Sequence, residues 1–235
     1  MRSGAHWIRL LPWMAVYAIA MAFLESAVVV YLRELYYPTA FRFPVVPIAP
    51  HVAITEFFRE LATMVMLLAP AALVSARRME RFAWFSFCFG VWDIFYYVFL
   101  KALLGWPVSL FDWDILFLVP VVWVGPVLAP CLISVGLIVL GCSLLSRRQG
   151  DPTYRPRPLQ WVGLSSAGGI FLYTFIEEPM RYALAAQHAG GTSLMAGHLA
   201  LDRLRDYVPA QYDWGFFAAG CGIAGLAWFG RAVRR

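Results

Sequence analysis

Residues 53–81 read AITEFFRELATMVMLLAPAALVSARRMER: a polar opening, a long apolar run, then a cluster of arginines. A bilayer's hydrocarbon core takes about 20 mostly apolar residues to cross as a helix. Ala53 to Ser75 meets that length, and the ending at Arg77, Arg78 and Arg81 marks the cytoplasmic side, where short loops are rich in Lys and Arg. The opening places Glu56, Arg59 and Glu60 within or at the edge of the hydrocarbon, with the two acids one helical turn apart. One stretch therefore states the class of protein, its direction in the membrane and the kind of chemistry to look for.

The rest of the chain agrees. Of 235 residues, 61% are hydrophobic and 14% charged, well below the roughly one quarter charged that soluble domains carry. The net charge of +5 does not point to nucleic acid, because the arginines are spread over short loops rather than along one soluble face. Cys88, Cys131, Cys142 and Cys221 all fall in apolar runs without a C-x-x-C pair, so they read as buried, inert thiols. The basic beginning is followed by an apolar stretch too long for a signal peptide, which makes it the first span.

Read outward from residues 53–81, the chain forms a single polytopic, all-helical domain of about six spans over 1–235. The first runs from Ile8 to Leu35 and the second from Ala53 to Ser75; the third, Phe82 to Leu104, is followed by the apolar region Leu110–Leu145. That region is too long for one straight span, and Pro120, Pro126 and Pro130 interrupt it. It reads as a short outer or re-entrant helix before Pro120 and a kinked fourth span ending at Arg147 and Arg148, a broken helix around Pro120–Pro130. The fifth span, Leu159–Ile176, meets Glu177, Glu178 and Pro179, and the sixth, Trp214–Gly230, closes with Arg231, Arg234 and Arg235. Between these two, residues 194–208 have the spacing of an amphipathic helix on the outer surface. An even number of spans returns both basic termini to the cytoplasm of a bacterial-type inner membrane. A short repeat, Trp92-Asp93-Ile-Phe-Tyr and Trp113-Asp114-Ile-Leu-Phe, reads as one solution, an aromatic helix with a single carboxylate, used twice.

The acids are distributed unevenly. Only Glu80 and Asp151 lie on the arginine side; Asp93 falls near mid-membrane and the others toward the far side. A lone carboxylate in hydrocarbon costs at least about 2.5 kcal/mol, so Glu25, Glu56, Glu60 and Asp93 should face the bundle interior with partners. With Arg59 and the stripe Asp93, Tyr97, Lys101 they define a candidate outward-opening pocket for a cation, a proton or a small polar ligand. If a metal is held, Glu25, Glu56, Glu60 and Asp93 are the oxygen donors, suited to a hard ion. In a plainer reading Arg33, Arg59, Lys101 and Arg181 neutralise the acids and lock the helices. His51, His188 and His198 match no compact metal motif, and no buried axial histidine points to haem; neither cofactor nor catalytic residue is identified.

Glu177-Glu178-Pro-Met-Arg181, with His198 and Asp202 downstream, is faintly similar to the E-E-x-x-x-R and H-x-x-x-N/D motifs of the CAAX-type intramembrane glutamate proteases. Arg181 is one residue too close and the family's F-x-x-x-H motif is missing, so no catalytic role is carried over. Small residues four apart, Gly163 and Ala167, Ser165 and Gly169, Ala218 and Gly222, Cys221 and Gly225, mark helix faces for close packing or for a partner. Those faces sustain an alternative function, a structural or assembly subunit of a larger membrane complex or a homo-oligomer. A membrane enzyme acting on lipid or isoprenoid at the outer leaflet is a further alternative.

Overall fold

The long apolar runs fold as helices in the computed structural model, which describes residues 6–37, 41–188 and 206–230. Five helices are long and apolar enough to cross a membrane: α1 (His6–Tyr36), α2 (Pro50–Val74), α3 (Arg78–Leu104), α4 (Leu128–Gly150) and α5 (Pro158–His188). This makes the chain a multi-pass membrane protein. A sixth apolar helix, α6 (Trp214–Phe229), has 16 residues. Its rise of about 24 Å falls short of the ~30 Å hydrocarbon core, so the expected sixth span is shorter than the other five. The amphipathic helix expected at 194–208 lies almost entirely outside the described residues, and its last three positions, Asp206 to Val208, are non-helical.

The region around Pro120 departs from expectation. Instead of a broken helix, Trp113–Phe117 (β1) and Trp123–Pro126 (β2) pair as a two-stranded sheet, and helix begins only at Leu128. Pro107, Pro120 and Pro126 exclude a continuous helix, while Val119, Val121, Val122 and Val124 favour extended backbone. The link at 118–122 is too short for anything but a hairpin. The second copy of the Trp-Asp-Ile repeat is thus a strand and not a helix.

The ends follow local rules. Pro50 opens α2 at a position where its missing N–H is no loss. Gly105, at φ 67°, closes α3 in the left-handed region and donates its N–H to the Lys101 carbonyl at 3.1 Å. The Asp213 side chain caps α6 by accepting from Phe216 N at 3.1 Å. The fifth helix runs a further 12 residues beyond Ile176, so Glu177 and Glu178 lie inside it and do not end it.

The chain divides into two compact units. The first holds α1 to α4. Tyr17 Oη donates to the Met66 carbonyl at 2.6 Å, Ser26 Oγ lies 3.1 Å from the Tyr96 carbonyl and Arg148 Nε donates to Glu80 at 3.1 Å. These contacts set α1 antiparallel to α2, parallel to α3, and α3 antiparallel to α4, so that Arg77, Arg78, Arg147 and Arg148 gather at one end. There Glu80 also accepts from Ser75 Oγ at 2.7 Å and Arg77 Nη1 at 3.2 Å, while Arg148 donates to the carbonyls of Pro152 and Tyr154. Helices α3 and α4 nearly touch: a Cβ on Gly90 would lie 2.5 Å from the Ser134 carbonyl oxygen, and one on Gly141 2.5 Å from that of Ala83.

The second unit holds the hairpin, residues 43–47, α5 and α6. Val45, Val122, Val124 and Tyr207 form a small buried core. Helices α5 and α6 approach closely at Gly163, whose added Cβ would meet Ala227 Cβ at 2.5 Å, and at Gly220, beside the Phe171 ring. The Trp123 and Phe175 rings stack with centroids 6.2 Å apart.

Candidate functional site

Glu25, Glu56, Glu60 and Asp93 are all buried, at 9%, 7%, 7% and 7% exposure. Within α2 the 3.6-residue period puts Glu56, Glu60 and Thr63 on one face, and each is buried. Arg59 is the centre of the arrangement. Its Nε donates to Glu56 Oε2 at 2.7 Å, and its Nη1 pairs with Glu25 Oε1 across from α1. Thr63, one turn further along α2, lies with Oγ1 3.0 Å from Glu25 Oε2 and 3.1 Å from the Arg59 carbonyl oxygen. Two carboxylates thus share one guanidinium, with a threonine hydroxyl as the fourth member.

The other sequence-derived pocket residues are placed differently. Asp93 accepts from Ser134 Oγ on α4 at 2.8 Å. Tyr97 is buried, with its ring 6.3 Å from that of Trp106. Lys101 donates to the carbonyls of Gly105 and Pro107 at 3.1 and 2.7 Å, so its ammonium serves the end of α3. Arg33 lies over aromatic rings, its guanidinium carbon 3.8 Å from the Trp106 centroid and 4.4 Å from that of Phe41. Arg181 pairs with Glu177 at 3.2 Å within α5. Of the four cations offered as neutralisers, Arg59 is the one bonded to Glu25 and Glu56. Among the described residues no three His, Cys, Asp or Glu side chains are grouped to hold a metal ion, so the four acids do not assemble a multidentate metal centre.

Sequence reasoning missed Thr63, Ser134, Gly90 and Gly141. A signal existed for two of them: Thr63 continues the Glu56, Glu60 face, and Ser86 and Gly90 are small residues four apart on α3. Ser134 and Gly141 gain their meaning only from the helix opposite.

In the second unit Glu178 accepts from Tyr207 Oη at 2.9 Å and from Ala210 N at 3.1 Å, and Thr174 Oγ1 lies 2.9 Å from Tyr212 Oη. Burial and the neighbouring Glu178 push the Tyr207 phenol well above its ordinary range. At the arginine-rich end of the first unit, hydrogen bonds from the Thr153 hydroxyl and N–H hold the Asp151 carboxyl below its ordinary range. The protease-like acids are thus engaged locally, while His198 and Asp202 lie outside the described residues. The small-residue faces divide: Ala167 is buried and Gly163 meets α6, whereas Gly169, Gly222 and Gly225 have nothing within 4 Å of an added Cβ, and Ala218 is exposed.

No family model, curated protein or solved structure matches the chain. Functional meaning therefore comes from the residues themselves.

Proposed function

We propose that this protein binds and releases a proton, or a small monovalent cation in its place, at a polar pocket between α1 and α2. The proton-binding centre is Glu25, Glu56 and Arg59, with Glu60 on the same face of α2, and Asp93, Tyr97 and Lys101 of α3 lie outside it with partners of their own. One observation carries the reading: Arg59 balances only one of the two carboxylates bonded to it, leaving a negative charge inside membrane-spanning helices. Such a charge is costly in hydrocarbon, and a proton or cation removes it. The pocket lies in the half of α2 away from the arginines, which by the positive-inside rule opens it outward from the cytoplasm of an inner membrane.

The test is a pH titration of the full chain in lipid nanodiscs, with protonated carboxyl groups followed by infrared absorption. A carboxyl band that disappears as pH rises is expected. Glu25→Gln or Glu56→Gln leaves one carboxylate for one guanidinium, so each variant alone should abolish it. A band indifferent to both substitutions, or no band at all, ends the proposal.

The chain offers no discontinuous helix at 110–127 of the kind that forms transport sites, which favours local proton exchange over alternating access. A second reading, a subunit of a membrane complex, draws on the open faces at Gly169, Gly222 and Gly225. It is sunk if the protein purifies alone and its state of association is unchanged by Gly222→Leu.

A further inference from the structure

The two carboxylates bound to Arg59 are not equivalent. Glu56 is held by a guanidinium on its own helix, three residues away, through Oε2. Glu25 reaches across from α1 and uses both oxygens, Oε1 toward Arg59 Nη1 and Oε2 toward Thr63 Oγ1. A hydroxyl has one proton to donate and lone pairs to accept with, so its partner need not be fixed. Thr63 Oγ1 has two acceptors in reach, Glu25 Oε2 at 3.0 Å and the Arg59 carbonyl oxygen at 3.1 Å.

We propose that Glu25 is the group that takes up the proton and that Thr63 is its positioning residue, a hydroxyl that stays bonded in both protonation states; this rests on the proton-site reading above. With Glu25 ionised, Thr63 donates to Oε2. When a proton from water adds to Oε2, the new O–H donates to Thr63 Oγ1, and the threonine proton turns to the Arg59 carbonyl. No bond to carbon changes, Arg59 keeps its charge, and the remaining Arg59–Glu56 pair is neutral. Neither state leaves a buried donor or acceptor of this set without a partner, which would otherwise cost about 1–3 kcal/mol. Glu56 has no such hydroxyl among its hydrogen bonds, and its protonation would leave Thr63 bonded as before.

The ionisable groups on the corresponding halves of the helices packed against α1 are His51, Glu56, Arg59 and Glu60 on α2 and Asp93, Tyr96, Tyr97 and Lys101 on α3, and α1 itself carries Tyr31, Arg33, Glu34 and Tyr36 beyond Glu25. Lys101 serves the end of α3 and Asp93 is bonded by Ser134, so Arg59 and Glu56 are the charges directly bonded into the Glu25 centre.

The same infrared titration tests the assignment through Thr63→Val and Thr63→Ser, with Thr63→Ala as a second deletion should the valine variant fail to fold. Losing the donor to the charged form raises the midpoint of the band by about one pH unit, because hydrogen bonds to a carboxylate are stronger than those from a neutral acid. The band itself moves to higher frequency as the protonated acid loses its acceptor. Thr63→Ser restores both. If Thr63→Val and Thr63→Ala leave midpoint and frequency unmoved while Glu25→Gln and Glu56→Gln still abolish the band, the proton site stands and the role of Thr63 falls. If the band ignores Glu25 and Glu56 as well, the proton site falls with it.

Discussion

Trp92-Asp93-Ile94 in the first unit and Trp113-Asp114-Ile115 in the second are the same tripeptide in two conformations, helix and strand. Both aspartates are buried. The flanks make the choice. From Arg78 to Leu104 no proline interrupts α3, whereas the second copy lies between Pro107 and Pro120 and follows a turn in which Asp112 Oδ2 accepts from Val108 N and Ser109 N at 2.7 and 3.1 Å. A buried carboxylate beside a tryptophan is compatible with either backbone, and what surrounds it fixes which. The contrast extends to the units as wholes: the first brings ionic groups from separate helices together, while the second is built on ring packing and on glycines that let α5 meet α6.

The sharpest way to break that contrast is to remove the centre of the first unit. Arg59→Gln leaves Glu25 and Glu56 buried without their shared guanidinium and is expected to lower stability by about 3–5 kcal/mol at neutral pH. Thermal unfolding in detergent should show the loss shrinking as the pH falls and the acids are neutralised; an unchanged melting temperature would mean that the charges are screened by something else.

Next in size is Gly90→Ala. Its methyl would sit 2.5 Å from the Ser134 carbonyl oxygen, backbone that cannot easily yield, and about 2 kcal/mol should be lost as α4 is pushed from α3. Because Ser134 bonds Asp93, the same change should disturb the polar interior, which a mixed-disulfide or spin-label distance across α3 and α4 would register.

In the second unit, Tyr207→Phe removes one hydrogen bond to Glu178, an effect of about 1 kcal/mol. The raised phenol also sets a pH dependence. Above about pH 10 an unfolded tyrosine ionises while the folded one keeps its proton, so this contribution is complete below that pH and fades as pH rises toward the folded value. The wild-type protein should lose more stability than Tyr207→Phe in that alkaline range; parallel curves would show that Tyr207 is not the group responsible.

The smallest effect is expected at Gly169→Ala on α5. With nothing within 4 Å, the methyl meets no obstacle, and the better helix former should be neutral or stabilising by about 0.5 kcal/mol. A loss there as large as that at Gly90 would mean that the face is already covered by another helix.

The two units also differ in how much of each is legible in the sequence. Helices α1 to α4 follow from apolar length and arginine endings, because a bilayer imposes both on any single sequence segment. The Glu25–Arg59 pair was within reach for the same reason, since a carboxylate at that depth demands a counter-ion. The hairpin was not, because proline spacing says where a helix stops but not whether a strand replaces it. Nor was the extension of α5 past Ile176: Glu177 and Glu178 look like an end until Arg181 on one side and Tyr207, some thirty residues away, on the other take up their charge. Lys101 looked like a counter-ion and serves instead to hold the carbonyls where α3 stops at Gly105.

The near contact of α3 and α4 at Gly90 and Gly141 bears on how the chain is made. Asp93 emerges from the ribosome some forty residues before Ser134, the hydroxyl that bonds it. A translocon releasing α3 into lipid on its own would release that acid without this hydroxyl. The two helices should therefore leave the insertion machinery as a joined pair, with the intervening hairpin already delivered, and stalling synthesis between them should hold α3 at the translocon.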